Sequence, residues 1–135
     1  MAFEISRRFT LQAAHRLPRV PEGHKCGRMH GHTWEITISV RGDVDPEAGW
    51  FCDFAVIDES YDRCVHRALD HGCMNDVIAN PTTENLCAWI ADRLGPTLPG
   101  LCRVDAKEND RSCVSMQVEP ERAATSTASS NTGGG

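Results

Sequence analysis

The chain has 135 residues, 40% of them hydrophobic, which suits one domain with its own core. Its formal net charge of −5 argues against general nucleic-acid binding. No apolar run approaches the roughly 20 residues of a membrane span, and the start, MAFEISRRF, has no apolar segment of the kind a secretory signal needs.

Seven cysteines are scattered at 26, 52, 64, 73, 87, 102 and 113 without a C-x-x-C pair. That scatter fits a reducing cytoplasm better than a disulfide scaffold.

The first segment alternates. Phe3, Ile5, Phe9, Leu11 and Ala13 share one parity, and Glu4, Ser6, Arg8, Thr10 and Gln12 take the other. The pattern predicts a half-buried strand, with His15 continuing its apolar parity. A loop over about 16–29 follows. A second strand then places Trp34, Ile36, Ile38 and Val40 on one face and Glu35, Thr37, Ser39 and Arg41 on the other. His30 and His32 fall on the apolar parity, because residues i and i+2 of a strand point together.

GDVDPEAGW reads as turn and loop. A helix is predicted from an Asp53 cap to about Leu69, with Ile57, Tyr61, Val65 and Leu69 spaced by four. DHGCMNDVIANP reads as irregular. Thr82 or Thr83 can cap a second helix that runs to about Leu94 and stops at Gly95-Pro96. Leu101 to Glu108 and Cys113 to Glu119 read as a hairpin around ENDRS. The order is ββααββ, an α+β fold: a four-stranded antiparallel sheet with both helices on one face. From Ala123 the sequence falls to ATSTASSNTGGG, so the domain is expected over 1–120 and a disordered tail over 121–135.

His15, His30 and His32 converge on one face and offer three imidazoles to a metal, the number catalytic zinc sites often use with a water as the fourth ligand. Cys26 lies four residues before His30. It can close a four-ligand structural site, remain a thiol that acts as a base or nucleophile, or be a plain buried cysteine. Asp70-His71 places a carboxylate beside an imidazole, the pairing that tunes histidine protonation; a solvated pair at a helix end is the bland alternative. Glu108 ends the small-apolar face of Cys102, Val104 and Ala106. A heterocycle with adjacent N–H donors would partner that carboxylate, as would water alone. Arg16, Arg19, His24, Lys25 and Arg28 crowd the loop around Cys26, which suits an anionic ligand such as a phosphate chain, or a solvated basic loop.

Taken together, AAHRLP, PEGHKCGRMHGH, GWFCDF, LDH with MND, NPTTENL and the final KE resemble the 6-pyruvoyltetrahydropterin synthase family over about residues 3–119. The short C-x-x-x-H-G-H spacing is similar to its bacterial branch that forms 6-carboxytetrahydropterin. The hairpin KENDRSCVSM departs from the family's turn.

The resemblance implies a zinc-dependent lyase acting on a pterin triphosphate in queuosine biosynthesis. Zinc would sit on His15, His30 and His32, with Cys26, Asp70 and His71 moving protons. Glu108 would anchor the pterin. Of the basic residues in the loop around Cys26, Lys25 and Arg28 are expected to hold the triphosphate. The resemblance also implies the tunnelling fold, with trimers closing a barrel, hexamers stacking two trimers, and active sites between subunits. No nucleic-acid or membrane partner is implied.

Overall fold

A computed structural model of the protein describes residues 1–119. The expectation of a disordered tail over 121–135 lies outside the described residues. Strand β1 (Ala2–His15) pairs antiparallel with β2 (His30–Asp43) along its whole length, from Ala2↔Asp43 to His15↔His30. β2 pairs antiparallel with β4 (Leu101–Asn109), which forms a hairpin with β5 (Ser112–Gln117).

A fifth strand, β3 (Gly72–Cys73), lies in the stretch read as irregular. It runs parallel to β1 through Ala13↔Gly72 and Ala14↔Cys73, giving the order β3-β1-β2-β4-β5. Two residues are too few to show alternation, so the sheet has one more strand than the pattern predicts.

The first helix begins where the cap signal puts it. The Asp53 carboxylate accepts from the Ala55 N–H, and α1 (Phe54–Tyr61) follows. The run continues through a π-helical turn (Asp62–His66) into α2 (Arg67–Leu69). Ile57, Tyr61, Val65 and Leu69 are buried, as their spacing by four requires. Thr82 caps α3 (Thr83–Leu94) by accepting from the Asn85 N–H, which decides between the two candidate threonines.

Leu11, Trp34, Ile36, Ile38, Val104 and Ala106 line the covered face of the sheet and are buried, as are Leu86, Ile90 and Leu94 of α3. Arg7 interrupts the apolar parity of β1. It is satisfied there by a two-point ion pair to Asp58 (2.9 and 3.0 Å) and by the Phe54 ring below its guanidinium. Among the described residues, no helix is long and apolar enough to cross a membrane.

Candidate metal centre and catalytic groups

Three histidines meet where β1 ends and β2 begins. The register sets His15 opposite His30 and Ala13 opposite His32, so alternation turns all three rings to the covered face. Ring centroids lie 4.6 Å (His15–His30), 5.2 Å (His15–His32) and 4.9 Å (His30–His32) apart. One ligand atom from each lies within 4.8 Å of the others. Trp34 forms the floor, edge-on to His15 and His32, with its indole N–H donating to the Ala13 carbonyl.

Two rings are held in one tautomer. His15 Nδ1 donates to the Pro81 carbonyl (2.8 Å) and His30 Nδ1 to the Arg28 carbonyl (2.7 Å). A carbonyl only accepts, so Nδ1 carries the hydrogen and Nε2 of the neutral ring keeps its lone pair, the arrangement that prepares a histidine to bind metal. His15 Nε2 is fully buried and has no hydrogen-bond partner. Such an orphaned acceptor is costly unless something occupies it, and a cation shared with His30 and His32 fits. Burial pushes the pKa values of His15 and His32 below the ordinary histidine value, which favours the neutral ring that a metal would need.

Glu108 stands at the rim of this cluster. A register shift between Lys107 and Asn109 makes it the extra residue of a bulge in the β4–β5 ladder, a feature that re-aims side chains. Its Oε2 accepts from the Thr83 hydroxyl (3.2 Å) and lies 3.7 Å from His32 Nε2. Thr83 is a site residue the sequence does not reveal, because its only visible signal is as a possible cap.

Cys26 sits half-buried in a 3₁₀ turn, Lys25–Gly27. It is not a member of the histidine cluster. The turn is tied to the end of β1 by the Leu17 N–H, which donates to the Cys26 carbonyl (2.9 Å). Of the two basic residues expected to hold phosphate, Arg28 lines a cavity with Arg16 and His24, whereas Lys25 is exposed and lines no part of it.

Asp70 and His71 form a second group on the edge of β1. The Gln12 N–H donates to Asp70 Oδ1 (2.9 Å), and the Gln12 carbonyl accepts the His71 N–H (2.6 Å). Asp70 Oδ2 meets His71 Nδ1 at 2.5 Å. The Gln12 N–H is the first cause holding the Asp70 carboxyl below its usual pKa, and the His71 contact adds to it, so the aspartate stays ionised. His71 adopts a left-handed backbone, φ 59°, a conformation that costs about 1–3 kcal/mol outside glycine and is kept only where surroundings enforce it.

His71 lines an open cavity of about 400 Å³ whose wall includes Gln12, Ala14, Gly31 and Thr33 and also His32. One cavity therefore runs from the Asp70–His71 pair to a member of the three-histidine cluster.

Asn75 lies in the MND stretch, and the sequence assigns it no role. Its side-chain amide brackets the Arg16 backbone, accepting from the N–H (2.9 Å) and donating to the carbonyl (2.8 Å). It ties the segment after His71 to the loop that carries Cys26.

Comparison with known proteins places the chain in a family and agrees with its fold. Residues 4–119 match the family described as 6-pyruvoyl tetrahydropterin synthase. The 6-carboxy-5,6,7,8-tetrahydropterin synthase of Synechocystis sp. is 37% identical over 111 residues, covering 77% of this chain and 84% of that one. A dihydroneopterin monophosphate aldolase of Pyrococcus furiosus is 34% identical over 100 residues, covering 74% of this chain and 82% of its own. Among solved structures, the 6-pyruvoyl tetrahydropterin synthase of Caenorhabditis elegans superposes with a TM-score of 0.79 at 21% identity, over 88% of this chain and 97% of that one.

Proposed function

The chain belongs to the 6-pyruvoyl tetrahydropterin synthase family, and we propose that it is a 6-carboxy-5,6,7,8-tetrahydropterin synthase. With water, it would convert 7,8-dihydroneopterin triphosphate to 6-carboxytetrahydropterin, acetaldehyde and triphosphate, on the route to queuosine and other 7-deazapurines. The observation that carries the proposal is the three-histidine cluster with the orphaned His15 Nε2, beside a glutamate aimed at the same space. The relatives at 32–37% identity that bear the 6-carboxy name support this branch.

We assign zinc to His15, His30 and His32, a ligand set that suits it. When bound there, zinc supplies Lewis acidity toward the oxygens of the substrate side chain and makes the adjacent C–H protons removable.

The other steps fall to side chains. Glu108 holds the pterin by accepting two adjacent N–H groups. Cys26, free of the ligand set, takes one proton as thiolate. His71 handles the second at Nε2, since its Nδ1 faces Asp70. The ionised Asp70 fixes the ring's orientation and stabilises its protonated form. Triphosphate leaves by elimination, and the redox change is internal to the substrate, so no nicotinamide or flavin is required.

We assign the complete site to a homo-oligomer, a trimer or a hexamer, in which neighbouring copies bring the groups together, as the resemblance to the family implies. Seven unpaired cysteines support a cytoplasmic setting.

The Pyrococcus aldolase relative favours one second reading, cleavage of the dihydropterin side chain by retro-aldol chemistry without loss of phosphate. Retention of all side-chain carbons, the pyruvoyl outcome, is the other branch. Product identity separates them.

The test of the site is Cys26→Ala. The variant should keep stoichiometric zinc and lose turnover by at least about a hundredfold, as expected when a proton-transfer group is removed. Loss of zinc from the variant would place Cys26 among the ligands and make the site structural.

A further inference from the structure

The loop between β1 and β2 encloses a cavity of about 280 Å³ whose lining shares no residue with the three-histidine cluster. Its charged walls are Arg16, Arg28 and Glu22, and His24 stands among them. Two guanidiniums against one carboxylate leave a local excess of positive charge, in a chain whose formal net charge is −5. The walls are also built rather than loose. The Asn75 amide brackets the Arg16 backbone, the Leu17 N–H crosses to the Cys26 carbonyl, and the Gly27 N–H closes on the His24 carbonyl (3.0 Å).

His24 links this cavity to Cys26. The Cys26 N–H donates to His24 Nδ1 at 3.1 Å. A backbone N–H can only donate, so Nδ1 carries the lone pair and the ring's hydrogen sits on Nε2. One imidazole thus caps the turn that bears the thiol with one nitrogen and offers an N–H donor with the other.

We propose that this cavity is an anion subsite that takes a phosphate chain, held by Arg16, Arg28 and the His24 N–H, and that its occupancy fixes the Cys26 turn through the His24 cap. Arginine forks match phosphate oxygens two at a time. Glu22 opposes any anion, so its neutralisation gives a test of opposite sign. Lys25, although next to Cys26, contributes nothing to the wall. Cys26 is thereby set in place by the part of the ligand that is remote from the bonds it works on, which is how remote binding energy raises the rate of a chemical step. In the proposed reaction, on which this assignment rests for its natural ligand, the occupant is the triphosphate of the substrate. The substrate should then lose turnover number, and not affinity alone, when its phosphates are removed.

Inorganic triphosphate is the probe. Its binding to the full-length, zinc-loaded protein is followed by calorimetry, with zinc content checked afterwards, and the iodoacetamide alkylation rate of Cys26 is read by peptide mass spectrometry. The expected results are binding to the wild type, affinity about tenfold weaker in Arg16→Gln and in Arg28→Gln, and tighter binding in Glu22→Gln. Arg63→Gln, which removes an equal charge from an exposed helix position, should bind like the wild type. Triphosphate should slow Cys26 alkylation in the wild type. His24→Ala should abolish that response, and His24→Asn, which restores a side-chain acceptor, should recover part of it.

Equal triphosphate affinity in the wild type, Arg16→Gln, Arg28→Gln and Glu22→Gln would overturn the subsite, as would the absence of binding. The gain expected from Glu22→Gln keeps the test decisive even if an arginine variant fails to fold. An alkylation rate that ignores triphosphate, or responds equally in His24→Ala, would overturn the coupling. Wild-type turnover of the pterin triphosphate, measured on the same preparation, tests the reaction separately: the full triphosphate pattern without turnover supports the subsite and removes the reaction.

Discussion

Glu108 meets the Thr83 hydroxyl at 3.2 Å and His32 Nε2 at 3.7 Å, and both contacts fall on Oε2. In the proposed role the carboxylate accepts the pterin N–H groups, and neither of these two contacts uses Oε1. Glu108→Gln keeps the shape but replaces one acceptor with a donor. It should weaken pterin binding by about tenfold to a hundredfold, the worth of a charge-assisted hydrogen bond, and leave zinc content unchanged. Titration of a pterin product analogue checks this, and unchanged affinity would remove Glu108 from the binding role. His15 and His32 make a second prediction at this scale. Their pKa values are lowered from 6.5 chiefly by burial, so the folded chain takes up fewer protons than the unfolded one below about pH 6.5. The metal-free protein should therefore lose stability as pH falls from 7 to 5. Asp70, whose carboxyl is held low, adds a further loss only when pH drops below its ordinary value of 3.8. Urea midpoints of the metal-free protein measure the first effect, and a midpoint flat from pH 7 to 5 would contradict it.

At the scale of elements, α3 depends on its cap. Thr82→Ala removes the acceptor for the Asn85 N–H and should lower stability by about 1 kcal/mol, measurable by denaturant unfolding. Thr83→Ser, which preserves the hydroxyl that reaches Glu108, should be milder. The elements most legible in the sequence are those with a sustained period. β1 and β2 are 14 residues each, and their alternation is enough to put His15, His30 and His32 on one face. The helix from Asp53 was legible from a cap and four apolar residues at spacing four. Its π-helical turn was not, because one extra residue per turn leaves the buried stripe in place. β3 is two residues long and has no period to read. The Asn75 bracket and the Thr83–Glu108 contact join residues 59 and 25 positions apart, and local spacing carries no information about such pairs. Cys26 was ambiguous for the same reason: a loop of turn formers can place a thiol on the metal or away from it.

At the scale of the whole molecule, one cavity joins the two candidate groups. The covered side of the sheet carries the three histidines, Thr83 and Glu108, and His32 shares with His71 the wall of a cavity of about 400 Å³. In the proposed oligomer, neighbouring copies would add their groups to this site. The fold is that of the family, and most of the chain is spent on presenting a handful of side chains at the ends of long strands. What the family leaves open is the branch, since a 6-carboxy-5,6,7,8-tetrahydropterin synthase and a dihydroneopterin monophosphate aldolase are 37% and 34% identical to this chain. The most direct measurement is mass-spectrometric product analysis after mixing the zinc-loaded protein with 7,8-dihydroneopterin triphosphate in the presence of an aldehyde trap. The proposed reaction predicts 6-carboxytetrahydropterin, free triphosphate and trapped acetaldehyde in equal amounts. Pyruvoyltetrahydropterin without acetaldehyde, a cleaved pterin that leaves its phosphate on the released fragment, or unchanged substrate would contradict it.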